Sequence, residues 1–222
     1  MLKFLLLSIS ILTVFASQDT PIPSKPEGFS LGSNNPKLHI EAHYDLLCND
    51  CKPSWGILEP ILRNEFHITT NSTLRFTIHL YPFPCHVYSW ITAQVARAIA
   101  DNLKHPEHIF TYFNIVFDHQ EEYFTYATTN KTQAEVRQAF MDLIKLNLPQ
   151  YKDLFPACLD YGNTYDLETR TSFKYACSRG VGTTPTYFAN GVALDGAFDW
   201  KAADWRKFLS KGVSRPEDSI DL

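Results

Sequence analysis

The sequence has no basic block. Its 20 Lys and Arg are scattered among 24 Asp and Glu, for a formal net charge of −4, which leaves no electrostatic footprint for nucleic acid. No internal repeat is present, so solenoids and propellers are excluded. After the first 16 residues no apolar run is long enough to span a bilayer. There is no second Cys-x-x-Cys, and Cys85-His86 is not spaced like a knuckle, so a four-ligand zinc site lacks its other half. What is left is a chain of 222 residues, the length of one domain or of one domain carrying a large insertion.

The chain opens with MLKFLLLSISILTVFAS, where one charge at Lys3 precedes an apolar run from Phe4 to Phe15. Val14 and Ala16 fit the small-residue positions of a signal-peptidase site, so residues 1–16 are expected to be a leader cleaved near Ala16. Its loss removes only Lys3 and takes the charge from −4 to −5. The expected location is therefore the secretory-pathway lumen or outside the cell, where disulfides persist. Asn71-Ser-Thr and Asn130-Lys-Thr are glycosylation sequons. The terminal Ser-Ile-Asp-Leu matches an ER-retention signal only in its last two residues, which gives retention little support.

Residues 17–36, rich in Pro, Gly and Ser, read as an extended lead-in without its own core. Leu38–Leu47 and Thr73–Tyr81 alternate apolar and polar residues, which predicts two strands, and the helical stretch between them predicts that they run parallel. Pro60 is expected to kink that helix. Ile91, Val95, Ile99 and Leu103 form one helical stripe. Thr132 with Glu135 makes a capping box for another helix, and a further helix is expected over Asp166–Ser178, closed by Gly180. Late in the chain, Asn190-Gly191 predicts a hairpin turn. A last helix is expected after Asp199, with Trp200, Ala203 and Phe208 inward. A mixed α/β sheet with an all-helical insertion follows.

The chemistry concentrates at Cys48-Asn-Asp-Cys51, placed where a strand meets a helix. Free backbone N–H groups and the helix dipole there favour a thiolate at Cys48. Cys51, one turn further in, is the natural resolving thiol. Far down the chain Pro185, in Thr183-Thr-Pro-Thr186, enters a predicted strand, where a proline needs a special reason. A cis Thr184–Pro185 bond is one such reason, and an ordinary trans turn is the other.

The strand leading into Cys-x-x-Cys, the helical insertion and the late Gly-Val-Gly-Thr-Thr-Pro-Thr-Tyr-Phe-Ala-Asn-Gly stretch together resemble the DsbA-like branch of the thioredoxin superfamily, over roughly Leu38 to Leu209. The resemblance implies a thioredoxin-like domain from 37–82 and 183–210, a helical insertion at 83–182 and a polar tail at 211–222. It implies Cys48 as attacking and Cys51 as resolving cysteine in a redox disulfide, Thr184 and the cis-proline Pro185 beside the substrate, and no bound cofactor or metal. Substrates would be cysteine-containing proteins or peptides, with a recycling redox partner that the sequence does not name.

Two departures from the family pattern stand out. Where the family often has a buried acid, six residues before the first cysteine, this chain has Ala42; Glu41 and His43 flank it but point to the other face. Between the cysteines it has Asn49-Asp50, where strongly oxidising relatives carry His, and the charge of Asp50 is expected to raise the thiol pKa and weaken the oxidant. His86 is expected to line the peptide site or assist proton transfer. Cys158 and Cys177 lie on neighbouring predicted helices, so a structural disulfide between them is expected, leaving Cys85 over. Two other functions compete: a redox-silent peptide-binding module of the same fold, and a glutathione-dependent transferase or isomerase.

Overall fold

Side chains alternate across a strand, so Leu38, Ile40, Ala42 and Tyr44 share one face, as do Leu74, Phe76, Ile78 and Leu80. The computed structural model, which describes residues 21–23, 25–103 and 108–213, pairs these two runs in parallel register, Leu38 opposite Leu74 through Tyr44 opposite Leu80. The predicted leader with its Ala16 site and most of the polar tail lie outside the described residues.

In chain order the elements are β1 (Phe29–Gly32), β2 (Leu38–Tyr44), α1 (Cys51–Pro60), β3 (Leu74–Leu80), α2 (Ser89–Asp101), α3 (Ile109–His119), α4 (Thr125–Thr128), α5 (Gln133–Asn147), α6 (Thr164–Ser178), β4 (Thr186–Ala189), β5 (Val192–Ala193) and α7 (Ala202–Val213). The strands form one mixed sheet in the order β1-β3-β2-β4-β5. Only β2 and β3 are parallel, as the intervening helix predicts.

The apolar face is covered by α1 and α3. Trp55 stacks on Phe76 and on Phe110, with ring centroids at 6.3 and 5.4 Å, and Leu58 is fully buried. Each such side chain contributes roughly 1.5–3 kcal/mol by leaving water. The polar face is buried too. Glu41, His43, Thr77 and His79 are buried on the side of α6, where the tilted Tyr175 ring lies 5.0 Å from that of His79 and Arg179 meets the Glu41 carboxylate at 3.1 Å. Pro60 has no N–H to continue the α-helical ladder, and α1 passes into a π-helical turn over Ile61–Glu65. The capping box of Thr132 and Glu135 is formed at the start of α5, and Gly180 follows α6 with φ +72°.

Two expectations are corrected. The lead-in is not coreless: β1 pairs antiparallel with β3, and Phe29 and Leu31 are buried. Gly28 and Gly32, at φ +93° and +95°, let it press close; a Cβ at Gly32 would stand 2.2 Å from the Leu74 carbonyl oxygen. In the last helix Trp205 and Leu209 are buried and Phe208, with Trp200 before it, packs against the core as expected, but Ala203 is exposed. Asp204 accepts the Lys201 N–H at 3.0 Å, and the helix starts at Ala202.

Candidate active site

The turn from β2 into α1 is closed by the Cys48 N–H to the Asp45 carbonyl at 3.1 Å and the Cys51 N–H to the Cys48 carbonyl at 3.2 Å. Cys48 therefore stands just before the first turn of α1, with the backbone N–H groups of Asp50 and Cys51 beside its sulfur. It is 6% exposed and Cys51 is fully buried. The hairpin comes from the other end of the chain. Asn190 and Gly191 both take positive φ, 47° and 81°, as a two-residue turn of this kind requires. The Asn190 side chain also pins the hairpin to β2, accepting from the His39 N–H at 2.7 Å and donating to the Lys37 carbonyl at 3.1 Å. With His43 opposite Thr186, the cis Thr184–Pro185 bond is delivered beside the thiol, and Cys48 Sγ lies 3.3 Å from the Thr184 carbonyl oxygen.

The two thiols are electrostatically unlike. Cys48 is drawn down to about 6: the hydrogen bond from Cys51 is the main cause, burial opposes it, and the Thr184 side chain with the backbone N–H groups of Asp50 and Cys51 add to the fall. Burial pushes Cys51 well up, and its bond to Cys48 adds to that. Against the expectation drawn from Asp50, the net shift of Cys48 is downward. Asp50 is exposed, and it acts on Cys48 through its N–H instead.

Around this pair lie groups that carry no motif of their own. The face of Ala42 holds no acid, but Tyr44, Ser54 and Tyr187 join their hydroxyls there, Tyr44 to Tyr187 at 2.6 Å and Ser54 to Tyr187 in a short bond. This buried cluster ties β2, α1 and β4 together in the neighbourhood of Cys51. Asp45, three residues before Cys48, is 1% exposed and binds His86 Nδ1 at 2.7 Å. That bond raises the His86 pKa against the effect of partial burial. Gln120, at the end of α3, donates to the Cys48 carbonyl at 3.4 Å, so the insertion also touches the turn. A cleft of about 200 Å³ beside Cys48 is lined by Leu47, Asn49, His86 and Tyr123 to Tyr126. Alternation along β2 could have flagged Tyr44, but Asp45 and Ser54 come into play only through chain segments far away.

Glu41 and His43 point away from the cysteines, as alternation predicts, into a buried polar cluster. There His79 bridges Glu27 and Glu41; burial opposes its charged form, but the two carboxylates outweigh it and raise its pKa. The expected Cys158–Cys177 bridge is not formed, and all five cysteines are thiols here. Asn163 binds the Ala157 carbonyl at 2.7 Å, which holds Cys158 near the start of α6, while Cys177 is at its far end. A helix of that span advances about 20 Å, far beyond the ~7 Å limit between bridged Cα atoms. Cys85 is exposed on the loop carrying His86. Asn71 and Asn130 lie in exposed turns.

A family model described as Thioredoxin matches residues 24–211. Among solved structures, a variant of alpha-DsbA1 from Wolbachia pipientis superposes with a TM-score of 0.65 at 13% identity, covering 86% of this chain and 92% of that one. The thiol-disulfide exchange protein alpha-DsbA2 from the same organism gives 0.58 at 15%, covering 83% and 85%. A periplasmic thioredoxin-like protein from Salmonella enterica serovar Typhimurium gives 0.56 at 18%, covering 86% and 93%. No curated protein matches the chain. With its Cys-x-x-Cys at the head of α1, its cis-proline opposite and its helices inserted between β3 and β4, the chain belongs to the thioredoxin family and has the DsbA-like form of that fold.

Proposed function

We propose that this protein is a secretory-pathway thiol-disulfide oxidoreductase acting on cysteine-containing proteins or peptides. The observation that carries this reading is the Cys48 thiol, held between the start of α1 and Thr184, with its pKa lowered while buried Cys51 is raised. A thiolate attacks and a thiol does not, so the pair divides the work. Cys48 attacks a substrate disulfide and one substrate sulfur leaves. Cys51 then loses its proton and displaces the second sulfur, closing Cys48–Cys51. The reverse sequence oxidises a substrate dithiol. Thr184 and Pro185 border the thiol and are the substrate's nearest backbone.

The name of the Wolbachia relative supports exchange as the chemistry. The apolar leader, the exposed sequons at Asn71 and Asn130, and a periplasmic relative support a location on the secretory route. No described helix is long and apolar enough to cross a membrane. The test is insulin reduction and dithiol-peptide oxidation by wild type and Cys48→Ser. Wild type is expected to turn over in at least one direction and the variant in neither; equal behaviour of the two would remove the enzymatic reading.

A further inference from the structure

Asp45 is nearly inaccessible, yet its carboxylate is fully used. One oxygen accepts the Leu47 N–H at 2.8 Å and the Ser89 hydroxyl at 2.5 Å. The other accepts the Phe83 N–H at 2.8 Å and His86 Nδ1 at 2.7 Å. A carboxylate with four donors around it can only accept, so His86 Nδ1 carries a hydrogen and the ring orientation is set. The His86 side chain is 25% exposed and lines the cleft that Leu47 and Asn49 share on either side of Cys48. The same Asp45 holds the Cys48 N–H through its carbonyl at 3.1 Å. One residue therefore anchors both the nucleophile's turn and the imidazole at the cleft.

We propose that His86 carries the proton of the exchange at its Nε2, and that Asp45 is the positioning residue that fixes it there. This rests on the reading of Cys48 as the exchanging thiol. When the Cys48 thiolate attacks a substrate disulfide, the Cys48–substrate S–S bond forms and the substrate S–S bond breaks. The electron pair leaves on the departing sulfur, which takes the Nε2 proton, and water reprotonates the imidazole. In the opposite direction neutral His86 takes the proton of an incoming thiol. The titratable groups facing His86 are Asp45 and Cys48, with Cys85 next to it in the chain and Tyr123 and Tyr126 across the cleft.

A proton donor matters only when the leaving thiolate is basic. The experiment is therefore single-turnover reaction of the reduced protein with two disulfides: oxidised glutathione, whose leaving thiol is alkyl, and an aryl nitrobenzoate disulfide, whose leaving thiolate needs no proton. His86→Gln, at a partly exposed position, is expected to slow the glutathione reaction at least about tenfold and to leave the aryl reaction within about twofold. It is also expected to lose the alkaline decline of the glutathione rate. Added imidazole is expected to restore His86→Ala. Asp45→Asn is expected to show the same alkyl-selective loss, with the alkaline decline moved to lower pH because the partner that raises His86 is gone. Equal slowing of both disulfides, or no change in either, overturns the proposal. Should Cys48→Ser react with both disulfides as wild type does, the exchange reading itself has failed. With Cys48 required and His86→Gln unimpaired, only this inference fails.

Discussion

Cys48 and Cys51 are chemically identical and one helical turn apart, yet their thiols are pushed in opposite directions. Position explains it: Cys48 takes a hydrogen bond from Cys51 and, more weakly, from the N–H groups of Asp50 and Cys51 at the start of α1, while Cys51 is fully buried. The alkylation rate of the reduced protein is therefore expected to rise with an inflection near pH 6, and a midpoint above about 8.5, the free-thiol range, would contradict the geometry. Stability follows with a definite sign. A folded pKa of about 6 against 9.0 unfolded favours the reduced fold fully above pH 9 and is lost as pH falls toward 6. At pH 7 it is worth about 1 kcal/mol. Cys51, shifted up, stays protonated in both states between pH 6 and 8 and does not cancel this. Reduced wild type is thus expected to gain thermal stability over reduced Cys48→Ser as pH rises from 6 to 8. The cysteines, Thr184 and Pro185 are legible in the sequence because each belongs to a short local pattern. Asp45 and the Tyr44–Ser54–Tyr187 cluster are not, since their roles arise only when β2, α1, β4 and the loop after β3 meet.

At the scale of elements, the buried polar face is held by the lead-in. Glu27 binds His79, Arg97 and the Ser172 hydroxyl, so β1's approach joins β3, α2 and α6. Burial alone would raise the Glu27 pKa, but these partners bring it down to about 2. Glu27→Ala leaves His79 and Arg97 buried without that carboxylate and is expected to cost about 3–5 kcal/mol in chemical denaturation; a loss below about 1 kcal/mol would mean the clamp is not structural. The contribution of His79, whose pKa is raised, is full below its unfolded value of 6.5 and fades as pH climbs past the folded value. The stability gap between wild type and His79→Leu is accordingly expected to narrow on the alkaline side. Gly28→Ala puts a Cβ 2.6 Å from Thr77 at positive φ and is expected to destabilise by more than about 1 kcal/mol. Stripes, caps and the Asn-Gly turn made most helices and the hairpin legible. β1, with four residues between prolines, is too short for periodicity. Nor does alternation along β2 say that its polar side will be roofed by α6, because that depends on a helix more than a hundred residues away.

For the whole molecule, the fold brings together two motifs some 135 residues apart. The sheet order sets β4 against β2, the hairpin is pinned by Asn190, and the insertion reaches back to the active turn through Gln120 on the Cys48 carbonyl and His86 on Asp45. The strength of the couple should follow from the Cys48 thiolate. Thioredoxin, with an attacking thiol near 7, sits at about −270 mV, and a strong periplasmic oxidant with a thiol near 3.5 sits at about −120 mV. A thiol at about 6 lies between them, nearer thioredoxin. The most direct measurement is the reduction potential of the Cys48–Cys51 pair, by equilibration in glutathione or dithiothreitol buffers with the thiols trapped and counted by mass. One two-electron transition is expected at roughly −200 to −250 mV, abolished in Cys48→Ser. A pair that never forms a disulfide across that range, or one as oxidising as about −120 mV, would contradict this.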